Sequence, residues 1–374
     1  GNESRFRFVE LFAGIGGFRL GLEELGGECI FSSETDRFAC DTYESNFGVG
    51  PTAEGDITAF DIPRIRGDLV VGGFPCQSFS HSGKQYGLDC DTNGRLYLEI
   101  CRFLCSEHKP KAFLLENVAN LYTMGGGGEF GAASKPGKVY QTILHDLAVR
   151  CGYKVYTKIV NAKSFGVPQH RNRLFFVGFL DPTVQFSWPD ETITTATTIR
   201  SILEPNTSPA VKDAILTPNQ YQIIRPLLLD DTTTNNKEQQ QSSSCRKAQI
   251  DGIARTLMSS YRSGQLKHYK EFVVMENYYQ KNDDSSNTHE KNDNTTTRFY
   301  TAREAARIMG FPDTYRIPGE EEIHSTEKNN KLHRQKKAMY QRFYRQIGNA
   351  VCPPIVTAVA KSILDALEKK KTSP

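Results

Sequence analysis

Five short segments hold residue types able to do polar or covalent chemistry. GGFPCQSFS, residues 72–80, follows the apolar run DLVV and sets Cys76 in a polar loop behind Pro75. A thiol among turn-forming polar neighbours is poorly suited to burial, and as a thiolate it is a soft nucleophile. LLENV, residues 114–118, ends an apolar run on Glu116 and Asn117. A carboxyl partly removed from water has a raised pKa and can stay protonated to donate a hydrogen bond. QHRNR, residues 169–173, alternates Arg171 and Arg173 about Asn172, so at strand spacing both point to one face. Two guanidiniums near a carboxyl and a thiol would bind an anion or a carbonyl oxygen.

FAGIGG, residues 12–17, is a glycine turn that lets backbone approach a ligand above a helix N-terminus, though it falls short of the full dinucleotide fingerprint. Glu34 follows where a ribose diol needs a carboxylate acceptor, and Asp56 could accept from an adenine amino group. Each acid alone also reads as a surface carboxylate; in this order they point to an adenosine-containing cofactor. IGNAVCPP, residues 347–354, is the fifth segment.

These residues need a rigid frame. RFVELF, ECIFSSE, DLVVGGF, AFLLENV and RLFFVGF read as strands, and FRLGLEELG, FACDTYESNF, LYLEICRFL and VYQTILHDLAVR as helices between them. The alternation predicts an α/β fold: a mostly parallel, Rossmann-like sheet with helices on both faces. Ligand-binding residues then belong at the carboxyl ends of its strands.

Beyond residue 180 the texture changes. Residues 230–244 and 280–297 contain no apolar side chain and read as flexible inserts, unable to offset ordering entropy. Between them, residues 246–274 hold six Lys/Arg against two acids, interleaved with Tyr261, His268, Tyr269 and Phe272. A nucleic-acid surface has this composition, and so do many solvated loops. TAREAARIMGFPDTY, residues 301–315, is a capped helix stopping at Gly310, and PPIVTAVAKSILDAL is an amphipathic helix able to pack back on the first domain.

At about 150 residues per domain, 374 residues make two or three domains. No run of eighteen apolar residues and no apolar N-terminal stretch is present, so neither a membrane span nor a secretory leader is expected. The net charge of +3 permits a polyanionic partner. Nine cysteines without a CxxC spacing point to a reducing compartment. Cys101 and Cys105 lie four apart on a predicted helix with His108 beyond, but a fourth ligand is not evident, so they read as small apolar residues and no metal is expected.

FAGIGG, PCQ, ENV, QxRxR, REAARIMGFPD and GNAV, in this order, resemble the ordered motifs of the cytosine-5 DNA methyltransferase family, most like the bacterial restriction-system enzymes. The resemblance covers residues 5–180 and roughly 300–365. It implies that Phe12, Ala13, Gly14, Ile15, Gly16 and Gly17 form the S-adenosylmethionine loop, with Glu34 on the ribose and Asp56 and Ile57 at the adenine. Gly73, Pro75, Asn349, Ala350 and Val351 would complete that pocket. Thr35 stands where many members carry a large aromatic, which would weaken cofactor affinity. Cys76 would be the nucleophile and Glu116 the acid on the cytosine ring. Of Arg171 and Arg173, one would contact the cytosine carbonyl and the other support the glutamate. Gln77 and Ser82 would contact DNA; Arg262 and Lys267 are expected to contact it from the basic composition of residues 246–274, since residues 181–298 match no recognition domain of the family.

The implied product is S-adenosylhomocysteine, and the implied partner duplex DNA, bound by a monomer without metal or membrane. The tRNA-methylating branch is the nearest alternative; a catalytically silent DNA-binding relative is another, against which the intact Cys76, Glu116, Arg171 and Arg173 argue. The predicted organisation is a catalytic domain, 1–180, completed by 344–374; a target-recognition domain, 181–300; and a hinge, 301–343. The Asn/Thr/Ser-rich inserts hint at a eukaryote and a nuclear location; otherwise the location is cytoplasmic.

Overall fold

The computed structural model describes residues 5–60, 66–75, 94–191, 197–229, 245–263, 266–267, 269–276, 295–323 and 331–372. The chain divides into two compact units. The first takes residues 1–167, 171–195 and 350–374, and the second 168–170 and 196–349. The expected hinge, 301–343, therefore falls inside the second unit, and the first extends past residue 180.

The first unit is built on seven strands: β1 (Phe6–Leu11), β2 (Gly27–Glu34), β3 (Ala53–Glu54), β4 (Leu69–Gly73), β5 (Ala112–Val118), β6 (Lys154–Asn161) and β7 (Asn172–Phe179). Their order is β3-β2-β1-β4-β5-β7-β6, parallel through β5, with β7 antiparallel to both its neighbours. β4 and β5 are buried along almost their whole length, as parallel strands covered on both faces must be. The order reverses between β1 and β4, which opens a crevice at their carboxyl ends. Because β7 runs backwards, its first residues lie at that same edge: Arg173 pairs with Val118.

β6 escaped the sequence reading. KVYTKIVN is half-exposed along most of its length, and its lysines suit an edge strand rather than a buried one.

Helices α1 (Gly17–Glu23), α2 (Arg37–Phe47), α3 (Gly94–Leu104) and α4 (Lys138–His145) belong to this unit. The Asp36 side chain caps α2 by accepting from the Phe38 and Ala39 amides, and Gly48 ends it in the left-handed region. The helix Pro353–Thr372 packs on α1: Thr357 Oγ1 lies 2.9 Å from Glu24 Oε2. That closes the chain on its first domain. Within Lys337–Lys370 an 18-residue window reaches the mean hydropathy of a membrane span, although its apolar residues are not consecutive. The stretch is interrupted between Asn349 and Pro353, and 56% of that window is buried.

The second unit has a small sheet, β10 (Thr295–Arg298), β9 (Glu271–Glu276) and β8 (Arg246–Lys247), with the helices Pro209–Ala214, Pro218–Leu229, Ala302–Ile308 and Lys331–Asn349. Thr301 and Glu304 form a capping box on Ala302–Ile308. One expected insert needs correction: residues 295–297 are strand, with Thr296 and Thr297 buried, because three β-branched residues pair with β9. Residues 230–244 and 280–294 lie outside the described residues.

The basic stretch 246–274 is also less exposed than its composition implies. Tyr261, Lys270 and Phe272 are buried, and Lys270 Nζ donates to the carbonyls of Ser260, Tyr261 and Ser263 at 2.7–3.0 Å.

Candidate active site

The glycine turn after β1 is held in a costly backbone conformation. Phe12, Gly14 and Gly16 all have positive φ, of 55°, 55° and 81°. A phenylalanine there is strained, and such strain persists only where the surroundings over-determine it. Gly16 is obligatory on packing grounds as well: a Cβ would stand 2.2 Å from the Phe47 ring. Beyond the turn, Ala13 donates to the Ser33 carbonyl at 2.8 Å, and the Glu34 carboxylate accepts from the Gly14, Thr35 and Asp36 amides at 2.7–2.9 Å. Glu34 thus ties the turn to the end of β2.

Below the turn lies Glu10, a fully buried carboxyl that sequence reading passed over although it interrupts the apolar run RFVELF. It accepts from the Tyr43 hydroxyl at 2.9 Å and the Arg19 amide at 3.1 Å, and burial pushes its pKa up to about 8. Asp56 is exposed and caps its own short turn, accepting from the Thr58 amide at 2.9 Å, which holds its carboxyl below the usual range. Ile57 is buried and Thr35 exposed.

On the other side of the crevice, Gly73 and Glu116 are register partners on β4 and β5. A Cβ on Gly73 would lie 3.4 Å from Glu116 Oε2, so the bare glycine keeps that oxygen clear. Glu116 is 9% exposed, and its Oε1 lies 2.9 Å from Arg173 Nε. Burial raises its pKa, and the nearby Arg173 and Arg171 only partly oppose this. The shift is toward the protonated acid.

Arg171 is 1% exposed, with its pKa lowered to about 9 first by burial and then by Arg173. It donates to the Ala350 carbonyl at 2.9 Å, and its amide is held by Asn161 Oδ1 at 3.3 Å. The QHRNR and GNAV segments, far apart in sequence, therefore meet through Arg171 and Ala350. Gln169 of the same motif lies in the second unit, buried, where it donates to the Ile308 carbonyl at 3.0 Å and accepts from the Leu257 amide at 2.7 Å.

Two further residues were missed as site members. Asn117 Nδ2 donates to the Phe74 carbonyl at 2.9 Å, holding the backbone two residues before Cys76 in the sequence. Cys352 is a buried thiol among Arg171, Arg173 and Glu116, with its pKa raised by burial. Neither is a polar-loop residue, and no pattern in the linear chain marks a contact of this kind.

Cys76, Gln77 and Ser82 lie outside the described residues, and Pro75 is the last one described before them. Val351 is buried beside Ala350, whereas Asn349 is exposed at the end of a helix in the second unit. Arg262 is not on open surface. Its guanidinium lies 4.8 Å from the Phe299 ring centre and 5.2 Å from that of Tyr344, with Asp213 at 3.8 Å, so aromatic packing has absorbed it. Lys267 is exposed.

Known proteins share this architecture. Residues 6–365 match the family model of C-5 cytosine-specific DNA methylases. The type II methyltransferase M.NlaX of Neisseria lactamica is 34% identical over 367 residues, covering 97% of each chain. M.HpaII of Haemophilus parainfluenzae is 35% identical over 374 residues, covering 97% of this chain and 90% of its own. The solved Dnmt2 methyltransferase of S. pombe superposes with a TM-score of 0.65 at 18% identity, covering 97% of this chain and 99% of its own, a likeness of fold.

Proposed function

The chain belongs to the C-5 cytosine-specific DNA methylase family, and on that premise we propose that it transfers a methyl group from S-adenosylmethionine to C5 of a cytosine flipped out of duplex DNA, leaving S-adenosylhomocysteine. The observation that carries this reading is the buried Glu116, clamped through one oxygen by Arg173 and kept clear at the other by Gly73, at the mouth of the β1/β4 crevice. The open, strained turn Phe12–Gly16 and Glu34 fit an adenosyl group: an ideal Cβ on Gly14 meets no atom within 4 Å, so there is room beside the loop.

When bound, S-adenosylmethionine supplies a methyl group on a cationic sulfur. The chain's own task is to make cytosine C5 nucleophilic. The Cys76 thiolate adds to C6, forming the C–S bond and moving the ring's electron pair toward C5 and N3. Protonated Glu116 donates to N3 as charge develops there. Arg173, the less buried of the two arginines, holds Glu116 and presents a donor toward O2. Arg171, nearly sealed and tied to Ala350, acts as a positioning residue. After methylation, water removes the C5 proton, the C5–C6 double bond reforms and the Cys76 thiolate leaves. No step calls for a metal.

The names of M.NlaX and M.HpaII, type II methyltransferases, favour DNA over tRNA. Their bacterial origin favours the cytoplasm and gives the nuclear option no support. A catalytic edge drawn from one chain fits a monomer, and α1 against Pro353–Thr372 buries a helix face that a membrane would otherwise take.

Duplex DNA containing 5-fluorocytosine should trap the enzyme covalently, because fluorine cannot leave as the C5 proton does. Cys76→Ala should abolish the adduct and turnover while keeping S-adenosylmethionine binding. An adduct mapped to Cys352, or efficient methylation of tRNA with none of duplex DNA, would refute the reading.

A further inference from the structure

Three thiols meet at the amino edge of the sheet, the edge opposite the proposed site. Cys101 lies in the last turn of α3, Cys105 in the turn that leads on to β5, and Cys151 in the turn before β6. Register confirms the placement: Ala112, the first residue of β5, and Lys154, the first of β6, both pair with Phe179. The Cys105 amide donates to the Cys101 carbonyl at 2.9 Å, and Cys105 Sγ lies 3.8 Å from the carbonyl oxygen of Arg150, the residue preceding Cys151. The Cys151 thiol interacts with both other thiols. Cys101 and Cys151 are buried, whereas Cys105 is exposed. Lys109 Nζ donates to the Cys151 carbonyl at 2.9 Å, and Arg150, the residue before Cys151, is paired with Asp146 at 3.3 Å. Spacing alone shows the Cys101–Cys105 pair; only the fold brings in Cys151.

We propose that Cys105 and Cys151 form an oxidative modification site whose co-reactant is a hydroperoxide. An exposed thiol is where such oxidation begins, and Cys105 is the exposed one of the three. Hydrogen peroxide transfers oxygen to Cys105, giving the sulfenic acid and one water. The Cys151 thiol then attacks that sulfur, forming the S–S bond and expelling the second water. Two thiols and one peroxide thus become one disulfide and two waters. Cys151 is buried and out of reach of the peroxide, so it follows rather than leads, giving up its proton to the departing hydroxide as the S–S bond forms. In a reducing compartment the bond is transient, in the manner of redox-sensing cysteines. Because the strands of the sheet separate this edge from the proposed site, the reaction leaves the methyl-transfer residues untouched.

The full chain, treated with near-stoichiometric hydrogen peroxide, should lose two hydrogens, and peptide mapping by mass spectrometry should join Cys105 to Cys151, reversibly with dithiothreitol. Cys105→Ser should abolish the bond and Cys101→Ser preserve it, both variants keeping parental methylation activity as proof of folding. A disulfide mapped elsewhere, a bond that survives Cys105→Ser, or Cys105 oxidised to the sulfinic acid with Cys151 still free would overturn the proposal.

Discussion

Among the described residues, two buried carboxylate–guanidinium pairs have similar length and opposite character. In the second unit, Glu304 and Arg298 pair at 2.7 Å with both side chains 0% exposed. Glu304 is saturated: Oε1 accepts from the Glu204 amide and Arg298 Nη2, and Oε2 from the Thr301 amide and Arg298 Nη1, all within 2.9 Å. In the first unit, Glu116 and Arg173 pair at 2.9 Å with side chains 12% and 14% exposed. Only Oε1 is engaged; among the described residues Oε2 accepts no hydrogen bond. A buried charge with every lone pair satisfied is a fastener. A buried carboxyl with one oxygen to spare has kept part of its desolvation cost unrelieved, and a ligand can relieve it.

Substitution should separate the two pairs. Glu116→Gln is expected to lower kcat by about 10²- to 10³-fold, the scale for losing one aimed donor, while costing less stability than Glu304→Gln because burial already shifts Glu116 toward its neutral form. Methylation kinetics and a denaturant melt on the same sample check both halves. Glu304→Gln should do the reverse. It strands Arg298 in the core and costs about 3–5 kcal/mol of stability, with kcat per folded molecule retained. If both variants lose activity and stability alike, the distinction between fastener and site collapses.

Glu10 sharpens the comparison from a third position, a fully buried carboxyl held by the Tyr43 hydroxyl and the Arg19 amide. Its folded pKa of about 8 lies above the ordinary carboxyl value of 4.5, so the native state binds the extra proton. Its stabilising contribution is therefore complete below about pH 4.5 and is lost as pH rises through about 8. Glu10→Gln should make the protein more stable than the parent at pH 9, by about 1–3 kcal/mol, and flatten the intervening pH dependence. Thermal melts at pH 5 and pH 9 give the answer; an unchanged difference between the two would mean that Glu10 is ionised in the native state.

The smallest effects concern the second unit's cations. Arg262→Ala should cost about 1–2 kcal/mol through lost ring contacts and leave the salt dependence of DNA binding as it was. Lys267→Ala should spare stability and reduce the salt slope by about 1. The opposite pattern would return Arg262 to the DNA-facing surface.

Sequence reading was strongest where a residue's role depends on its neighbours in the chain. The strands β1, β2, β4, β5 and β7, the capping box at Thr301 and Glu304, and the strand ends bearing Glu34, Gly73 and Glu116 all follow from local periodicity and turn chemistry. Where composition stood in for periodicity, it misled. Thr295–Thr297 looked like insert but completes a sheet, and Arg262 looked like a DNA contact but lies against aromatic rings. Polar residues drawn into a structure by partners distant in sequence leave no local signal.

By itself, then, the chain's order of residues determined the sheet's parallel character, the edge at which its polar residues collect, and the family to which the motifs belong. Only the tertiary structure decided that Arg171 anchors Ala350, that Asn117 holds Phe74, that Gly73 clears one oxygen of Glu116, and that Cys151 joins Cys101 and Cys105. The reason is physical. Strand and helix propensities act over a few residues, whereas a hydrogen-bond partner, a buried charge and a thiol neighbour are set by which distant segments the packed core brings within about 3–4 Å of each other.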